Sequence, residues 1–386
     1  LISLFLRHAI LSSVMLLTAC SQANLNPNYQ VADALPSFSQ DTFKQYISET
    51  RAWLLTHRVF KTDDVEKELR ANLPFELIPE NPNGDAVLLV HGLGDSPYSF
   101  IDIADHLVSQ GYLVRTVLLP GHGSKSGDLM LPNLADWQGV VHHHMELLKA
   151  KANKLWLGGY STGANLVTSE ALNDDGIAGL LLFSPAFKPE KSVVKWAGLA
   201  SYFVTWADQD PETNYIRYNS LPMHGAAVYY DTAATVQEDL QGITYQKPVF
   251  MMMSEGDRVI DRAFPIAVFE QQFINPRNHL VWLGEQDLST SQSTRFSMDR
   301  SDLNIVNGSH MGLLYSPDNI EYGQKANIII CNNGQSEEQQ KACEAGKDIW
   351  FSSYGWHVEG KTLARLTYNP YFEQSMAELD RVMENK

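Results

Sequence analysis

The residues best suited to chemistry are Gly159-Tyr160-Ser161-Thr162-Gly163, a G-x-S-x-G pentapeptide. Such a turn is so tight that glycines are needed beside the serine, whose backbone is strained and whose hydroxyl stands free. A serine hydroxyl is a poor nucleophile until a base takes its proton, and the base needs an acid to orient it. Downstream, Met251-Met252-Met253-Ser254-Glu255-Gly256-Asp257 puts an acid just past an apolar run. Asn307-Gly308-Ser309-His310-Met311-Gly312 puts a histidine in a glycine-flanked loop. Ser161, Asp257 and His310 are therefore the candidate nucleophile, acid and base for attack on a carbonyl. Glu255 and Asp261 are rival acids, and His357 is the rival base.

Other constellations carry less. His142-His143-His144 is expected on a helix, where adjacent side chains diverge and cannot converge on one ion. Asp102 and His106 share a helix face at i, i+4 and are read as solvated. No P-loop or G-x-G-x-x-G fingerprint occurs, so no nucleotide cofactor is implied, and with the histidines diverging neither a cofactor nor a metal is expected.

The elements around these residues alternate. Residues 86–90, Ala-Val-Leu-Leu-Val, form a short continuous apolar run, as in a strand buried on both faces. Ser96-Pro97 marks the start of a helix reaching about residue 110. Strands follow at 112–119, 155–158, 177–183 and 248–253, with helices at 134–151 and 162–172. The serine thus sits between a strand and a helix, whose N-terminal N–H groups favour developing negative charge. This alternation predicts an α/β fold, a mostly parallel central sheet with helices on both faces. Residues 41–70 are helical in period and flank it. Between residues 186 and 246 the pattern breaks and aromatic residues crowd in, which reads as a cap over the strand ends.

The whole chain has 386 residues with 44% apolar and 19% charged, enough to fill a sizeable core. Its 29 basic against 45 acidic residues give −16, with no basic stripe, which argues against nucleic-acid partners. Residues 1–19 read as a secretory leader: Arg7 and His8, then an eleven-residue apolar and small run from Ala9 to Ala19. Leu17-Thr18-Ala19-Cys20 looks like a bacterial lipobox, which makes Cys20 the expected lipidation site and the membrane an expected partner. Residues 20–40, rich in Ser, Asn, Gln and Pro, read as a flexible tether to a domain over 41–386. Export also bears on Cys331 and Cys343, twelve apart in a polar stretch without histidines, which read as a local disulfide.

Taken together, the sequence resembles the α/β-hydrolase superfamily, and within it the bacterial carboxylesterase and monoacylglycerol-lipase branch grouped with serine aminopeptidases. The resemblance covers roughly residues 75–384. It rests on Val90-His91-Gly92-Leu93-Gly94, Leu119-Pro120-Gly121-His122-Gly123-Ser124, Ala135-Asp136-Trp137, the Ser161 pentapeptide, Gly256-Asp257 and Ser309-His310. The order Ser…Asp…His is that of the superfamily. The resemblance implies an oxyanion hole from the backbone N–H groups of Leu93 and Thr162, with His91 and His122 shaping loops. It departs in the long interval from Asp257 to His310, where residues 286–300 read as a surface insertion. A second insertion, about 316–356, holds the cysteine pair. The last strand is then either 279–283 or 303–306. The expected activity is hydrolysis of carboxylic esters, monoacylglycerols or lysophospholipids at the cell envelope. The alternatives are a peptidase, with Asp208, Asp210 and Glu212 holding a free amine, and an inactive envelope-binding scaffold.

Overall fold

The computed structural model describes residues 26–384. The expected leader and Cys20 lie outside the described residues. Helices α1 (Phe43–His57) and α2 (Val65–Asn72) open the domain. Each is started by a side chain, Thr42 or Asp64, accepting from the N–H three residues on. Then come β1 (Glu76–Leu77), β2 (Ala86–Val90), α3 (Ile101–Ser109), β3 (Leu113–Val117), α4 (Leu134–Lys149), β4 (Leu155–Tyr160), α5 (Thr162–Asn173) and β5 (Ile177–Phe183). The cap follows as α6 (Ala197–Ala200), β6 (Trp206–Asp208), β7 (Leu221–Pro222) and α7 (Met223–Asp239). The sheet resumes with β8 (Val249–Ser254), α8 (Ala263–Gln271), β9 (His279–Leu283) and β10 (Ser293–Phe296). The late insertion contributes α9 (Glu337–Glu344), β11 (Ile349–Ser352) and β12 (Thr362–Arg365), and α10 (Phe372–Met383) ends the domain. Among the described residues no helix is long and apolar enough to cross a membrane.

The main sheet has eight strands in the order β1-β3-β2-β4-β5-β8-β9-β10. Every neighbouring pair is parallel except β1 with β3. Successive residues feed two cores. Leu88, Val90, Leu157, Leu182, Met251 and Met253 face one side; Val87, Leu89, Trp156, Leu181, Phe250 and Met252 face the other. Burial on both faces explains the unbroken apolar run of β2. The chain runs outward from β2 to β3 and returns to β4 on β2's other side, which makes a switch point at the carboxyl ends of β2 and β4.

Four expectations need correction. Residues 26–40 are not free tether. Tyr29 donates its hydroxyl to Asp210 O at 2.9 Å and packs its ring 4.9 Å from that of Trp206. The Ala32 N–H donates to Asp128 Oδ1 at 2.7 Å, and Ser126 Oγ donates to Asn28 O at 3.1 Å. The Tyr29 side chain and the backbone groups of Asn28 and Ala32 hold this segment against the domain. Residues 286–300 are not only a surface insertion, because β10 lies inside them and pairs in parallel with β9 from Ser293↔Leu280 onward. Residues 303–306 are no sheet strand: Ile305 makes only isolated bridges to Arg300 and Phe351. The late insertion also runs past residue 356, since β11 pairs in parallel with β12 as a separate two-stranded sheet. Cys331 and Cys343 are disulfide-bonded there, with Cα atoms 5.6 Å apart.

Candidate active site

Ser161 caps the turn from β4 into α5 at φ 54° and ψ −115°, a conformation that non-glycine residues adopt only where the surroundings impose it. Its flanking glycines are sterically required. A Cβ on Gly163 would lie 2.0 Å from Val90 O, and one on Gly159 would lie 2.5 Å from Ala164 N. The Ser161 N–H donates to Phe183 O at 3.0 Å, which ties the elbow to β5.

Asp257 follows β8. Its Oδ1 accepts from the Val259 N–H at 2.8 Å and the Ile260 N–H at 3.4 Å. Its Oδ2 lies 2.5 Å from His310 Nδ1, and His310 Nε2 lies 2.9 Å from Ser161 Oγ. The three groups form one hydrogen-bonded line from buried acid to half-buried histidine to serine. The glycines near His310 do more than loosen a loop. A Cβ on Gly256 would lie 2.1 Å from Gly308 O, and one on Gly308 would lie 2.1 Å from Ser254 Oγ. The acid loop and the histidine loop touch backbone to backbone. Ser309 fixes the second loop, donating its hydroxyl to Leu366 O at 2.5 Å and accepting from the Gly312 N–H at 2.9 Å.

The rivals are engaged elsewhere. Glu255 Oε2 accepts from the Glu285 and Gln286 N–H groups, the latter at 2.7 Å. Asp261 pairs with Lys188 at 2.6 Å, and His357 is exposed in the loop between β11 and β12.

Gly92 packs against the nucleophile, since a Cβ there would lie 3.1 Å from Ser161 Cβ. That sets the Gly92–Leu93 backbone beside Ser161. Thr162 is the first residue of α5, so its N–H has no acceptor within the helix. Two buried histidines hold the loop after β2. His91 Nε2 accepts from the Leu119 N–H at 3.1 Å while its Nδ1 donates to Gly92 O at 2.8 Å. His122 Nε2 accepts from the Gly94 N–H at 2.9 Å while its Nδ1 donates to Leu119 O at 3.1 Å. Both must be neutral to accept. Burial, reinforced for His91 by the nearby His122, pushes its pKa well down, and burial pushes that of His122 to about 4. They shape the loop, as expected.

The remaining candidates take structural parts. His142 meets Glu170 at 3.1 Å, His143 meets Gln40 O at 2.8 Å, and His144 is buried, so the three diverge. Asp102 and His106 are not merely solvated. Asp102 accepts from the Ser316 N–H at 2.7 Å, and His106 pairs with Asp380 at 2.9 Å. Of the cap acids, Glu212 accepts from the Asn219 and Ser220 N–H groups, each at 2.9 Å. Asp210 accepts from Asn332 Nδ2 at 2.6 Å, while Asp208 is exposed.

Sequence reasoning missed several groups at this site. The ring of Tyr160 lies 5.1 Å from that of His310. Asp95, next after the β2 loop, pairs with Arg217 of the cap at 3.2 Å. Adjacency to the His91–Gly94 motif was a usable signal for Asp95; for Arg217 there was none.

Residues 81–213 match the serine aminopeptidase S33 family. A thermostable monoacylglycerol lipase of Bacillus sp. (strain H-257) is 30% identical over 100 residues, a match spanning 26% of this chain and 40% of that protein. Among solved structures, a soluble variant of a monoglyceride lipase from Saccharomyces cerevisiae, in complex with a substrate analogue, is 17% identical. It covers 57% of this chain and 86% of its own at a TM-score of 0.45. A metagenome-derived lipolytic enzyme is 18% identical, covering 60% of this chain and 94% of its own at a TM-score of 0.49. With its parallel sheet, its strained serine at the β4–α5 turn, and a family match over residues 81–213 that spans that turn, the chain has an α/β-hydrolase fold.

Proposed function

We propose that the chain is a serine hydrolase of carboxylic esters, acting through Ser161, His310 and Asp257. The carrying observation is the unbroken hydrogen-bonded line Ser161 Oγ–His310 Nε2, His310 Nδ1–Asp257 Oδ2, at 2.9 and 2.5 Å. Ser161 attacks the ester carbonyl as its proton passes to His310 Nε2. Asp257 keeps the Nδ1 proton facing itself, so that Nε2 is the free base, and stabilises the imidazolium that forms. The Leu93 and Thr162 N–H groups take the oxyanion. His310 then hands its proton to the leaving alcohol, leaving an acyl-Ser161 that water hydrolyses with His310 again as base.

The ester reading is favoured over the aminopeptidase because two of the three cap carboxylates that would hold a free amine are occupied, and the third, Asp208, is exposed. Glu212 is spent on the Asn219 and Ser220 N–H groups, and Asp210 on Asn332. An inactive scaffold has no need of a strained serine aligned with a base. The substrates are small esters or monoacyl lipids, and the lipobox-like Leu17-Thr18-Ala19-Cys20 supports an envelope protein anchored to a membrane through Cys20.

The test is a panel of p-nitrophenyl esters of graded chain length beside aminoacyl p-nitroanilides. Ester turnover that vanishes in Ser161→Ala is the expected result. Anilide cleavage without ester cleavage would reverse the assignment. Metabolic labelling with a fatty-acid analogue tests the anchor, and an unlabelled protein would reject it.

A further inference from the structure

Two arginines stand at the site with no part in the reaction above. Arg217 lies on the oxyanion side. The next residue, Tyr218, donates its N–H to Gly94 O at 2.7 Å, and Arg217 Nε lies 3.2 Å from Asp95 Oδ1. Arg365 lies on the histidine side. It ends β12, and the carbonyl of the following Leu366 accepts from Ser309, the residue before His310. The charges of both act on Tyr160, the residue before Ser161, and on each other.

Their charges are not equally compensated. Arg217 has Asp95, and Asp257 is committed to His310. The contacts of the Arg365 guanidinium among the described residues are Asn332 O at 2.8 Å, Asn333 Oδ1 at 3.4 Å and the Tyr354 ring, 4.9 Å below Cζ. None is a carboxylate, although acids outnumber bases 45 to 29 in this chain. Asp95 and the exposed Asp208 of the cap act on Arg365 only at longer range. Burial, and then the Arg217 charge, lower the Arg365 pKa to about 10, which leaves it protonated at neutral pH. Even a half-buried cation is costly without a counter-ion, and a guanidinium fork matches carboxylate and phosphate geometry.

The late insertion holds Arg365 in place. Asn332 and Asn333 follow Cys331 of the disulfide, Gln335 Nε2 donates to Leu363 O at 2.6 Å, and Asn332 Nδ2 reaches Asp210 of the cap.

We propose that Arg365, with Arg217 beside it, binds an anionic group carried by the ester that Ser161 attacks, so that the preferred substrate is an ester bearing a carboxylate or phosphate. This rests on the ester-hydrolase reading. The late insertion is then a specificity element, and Arg365 a residue that selects substrate without taking part in proton transfer.

The test compares three substrates: p-nitrophenyl butyrate, which is neutral, mono-p-nitrophenyl glutarate, and the p-nitrophenyl ester of 4-phosphonobutyrate. Wild-type enzyme should favour one or both anionic esters, and 0.5 M NaCl should reduce that preference. The anion with the lower KM tells carboxylate from phosphate. Arg365→Gln should lose about 10- to 100-fold in kcat/KM on the anionic ester, mainly through KM, and stay within about threefold on butyrate. Arg365→Lys should recover part of the loss. Equal losses on neutral and anionic esters would assign Arg365 to packing and overturn the proposal. So would a wild type that cleaves butyrate with no anionic preference, leaving the ester reading intact. A wild type that cleaves none of the three would remove both.

Discussion

Replacing Asp257 by Asn probes the candidate triad without changing its shape. The Oδ1 position of Asp257 accepts from the Val259 and Ile260 N–H groups at 2.8 and 3.4 Å. In Asp257→Asn the amide oxygen is pinned to that side, because an NH2 there would face two donors. The NH2 group must then point at His310 Nδ1 across the present 2.5 Å contact. Two donors cannot share that contact, so His310 takes the tautomer with its proton on Nε2 and loses the ability to accept from Ser161. The imidazolium would also lose its counter-charge. Together these should lower kcat by about 10⁴-fold, equivalent to about 5.4 kcal/mol at the transition state. The melting temperature should change little, since the Asn retains the hydrogen bonds to residues 259 and 260. The assay is steady-state hydrolysis of the best p-nitrophenyl ester with a parallel melt. A variant within tenfold of wild type would refute the reasoning and point to another orienting acid.

Other outcomes follow from the same geometry. His310→Ala should lose about 10⁴-fold in kcat, as should Ser161→Ala, and the double variant should lose little more, because the groups act as a unit; His357→Ala should cost about tenfold or less in the same assay. Gly163→Ala sets a Cβ 2.0 Å from Val90 O, so it should fail to yield folded protein on expression, whereas Gly198→Ala, with open space around it, should express normally. His122 is neutral when folded with a pKa of about 4, against about 6.5 unfolded. The unfolded chain therefore binds the proton first, and stability present above about pH 6.5 should fall as pH drops towards 4; melts across that range should show a weaker pH dependence in His122→Gln. Reducing the Cys331–Cys343 disulfide should cost about 3 kcal/mol at most by loop entropy, seen as a lower melting temperature, with turnover of a neutral ester retained.

Much of the site was legible because its signals are local. The Ser161 elbow needs glycines on both sides for contacts with Val90 and Ala164, and those contacts are written as G-x-S-x-G. Gly256 and Gly308 mark the two loops for a related reason, since each would clash if it carried a side chain. The buried strands were legible because both faces of β2, β5 and β8 are apolar. What hid was whatever lacks that pattern. β10 is an edge strand of Ser293, Thr294, Arg295 and Phe296, paired only to β9, so three of its four side chains are polar and it reads as loop. Ile305 reads as strand because it is fully buried, yet it bridges only to Arg300 and Phe351. Residues 26–40 are largely polar, and composition cannot show that the Tyr29 hydroxyl reaches Asp210 O or that the Ala32 N–H reaches Asp128. Arg365 comes to the site through an insertion, where no spacing relates it to Ser161.

The central claim is that Ser161 carries the acyl group. Acid-quenching the enzyme during turnover of a p-nitrophenyl ester and mapping the acyl adduct by peptide mass spectrometry tests it directly. The account predicts one acyl group per chain on the peptide containing Ser161, and none in Ser161→Ala or His310→Ala. An adduct on another residue, or steady turnover with Ser161→Ala, would contradict it.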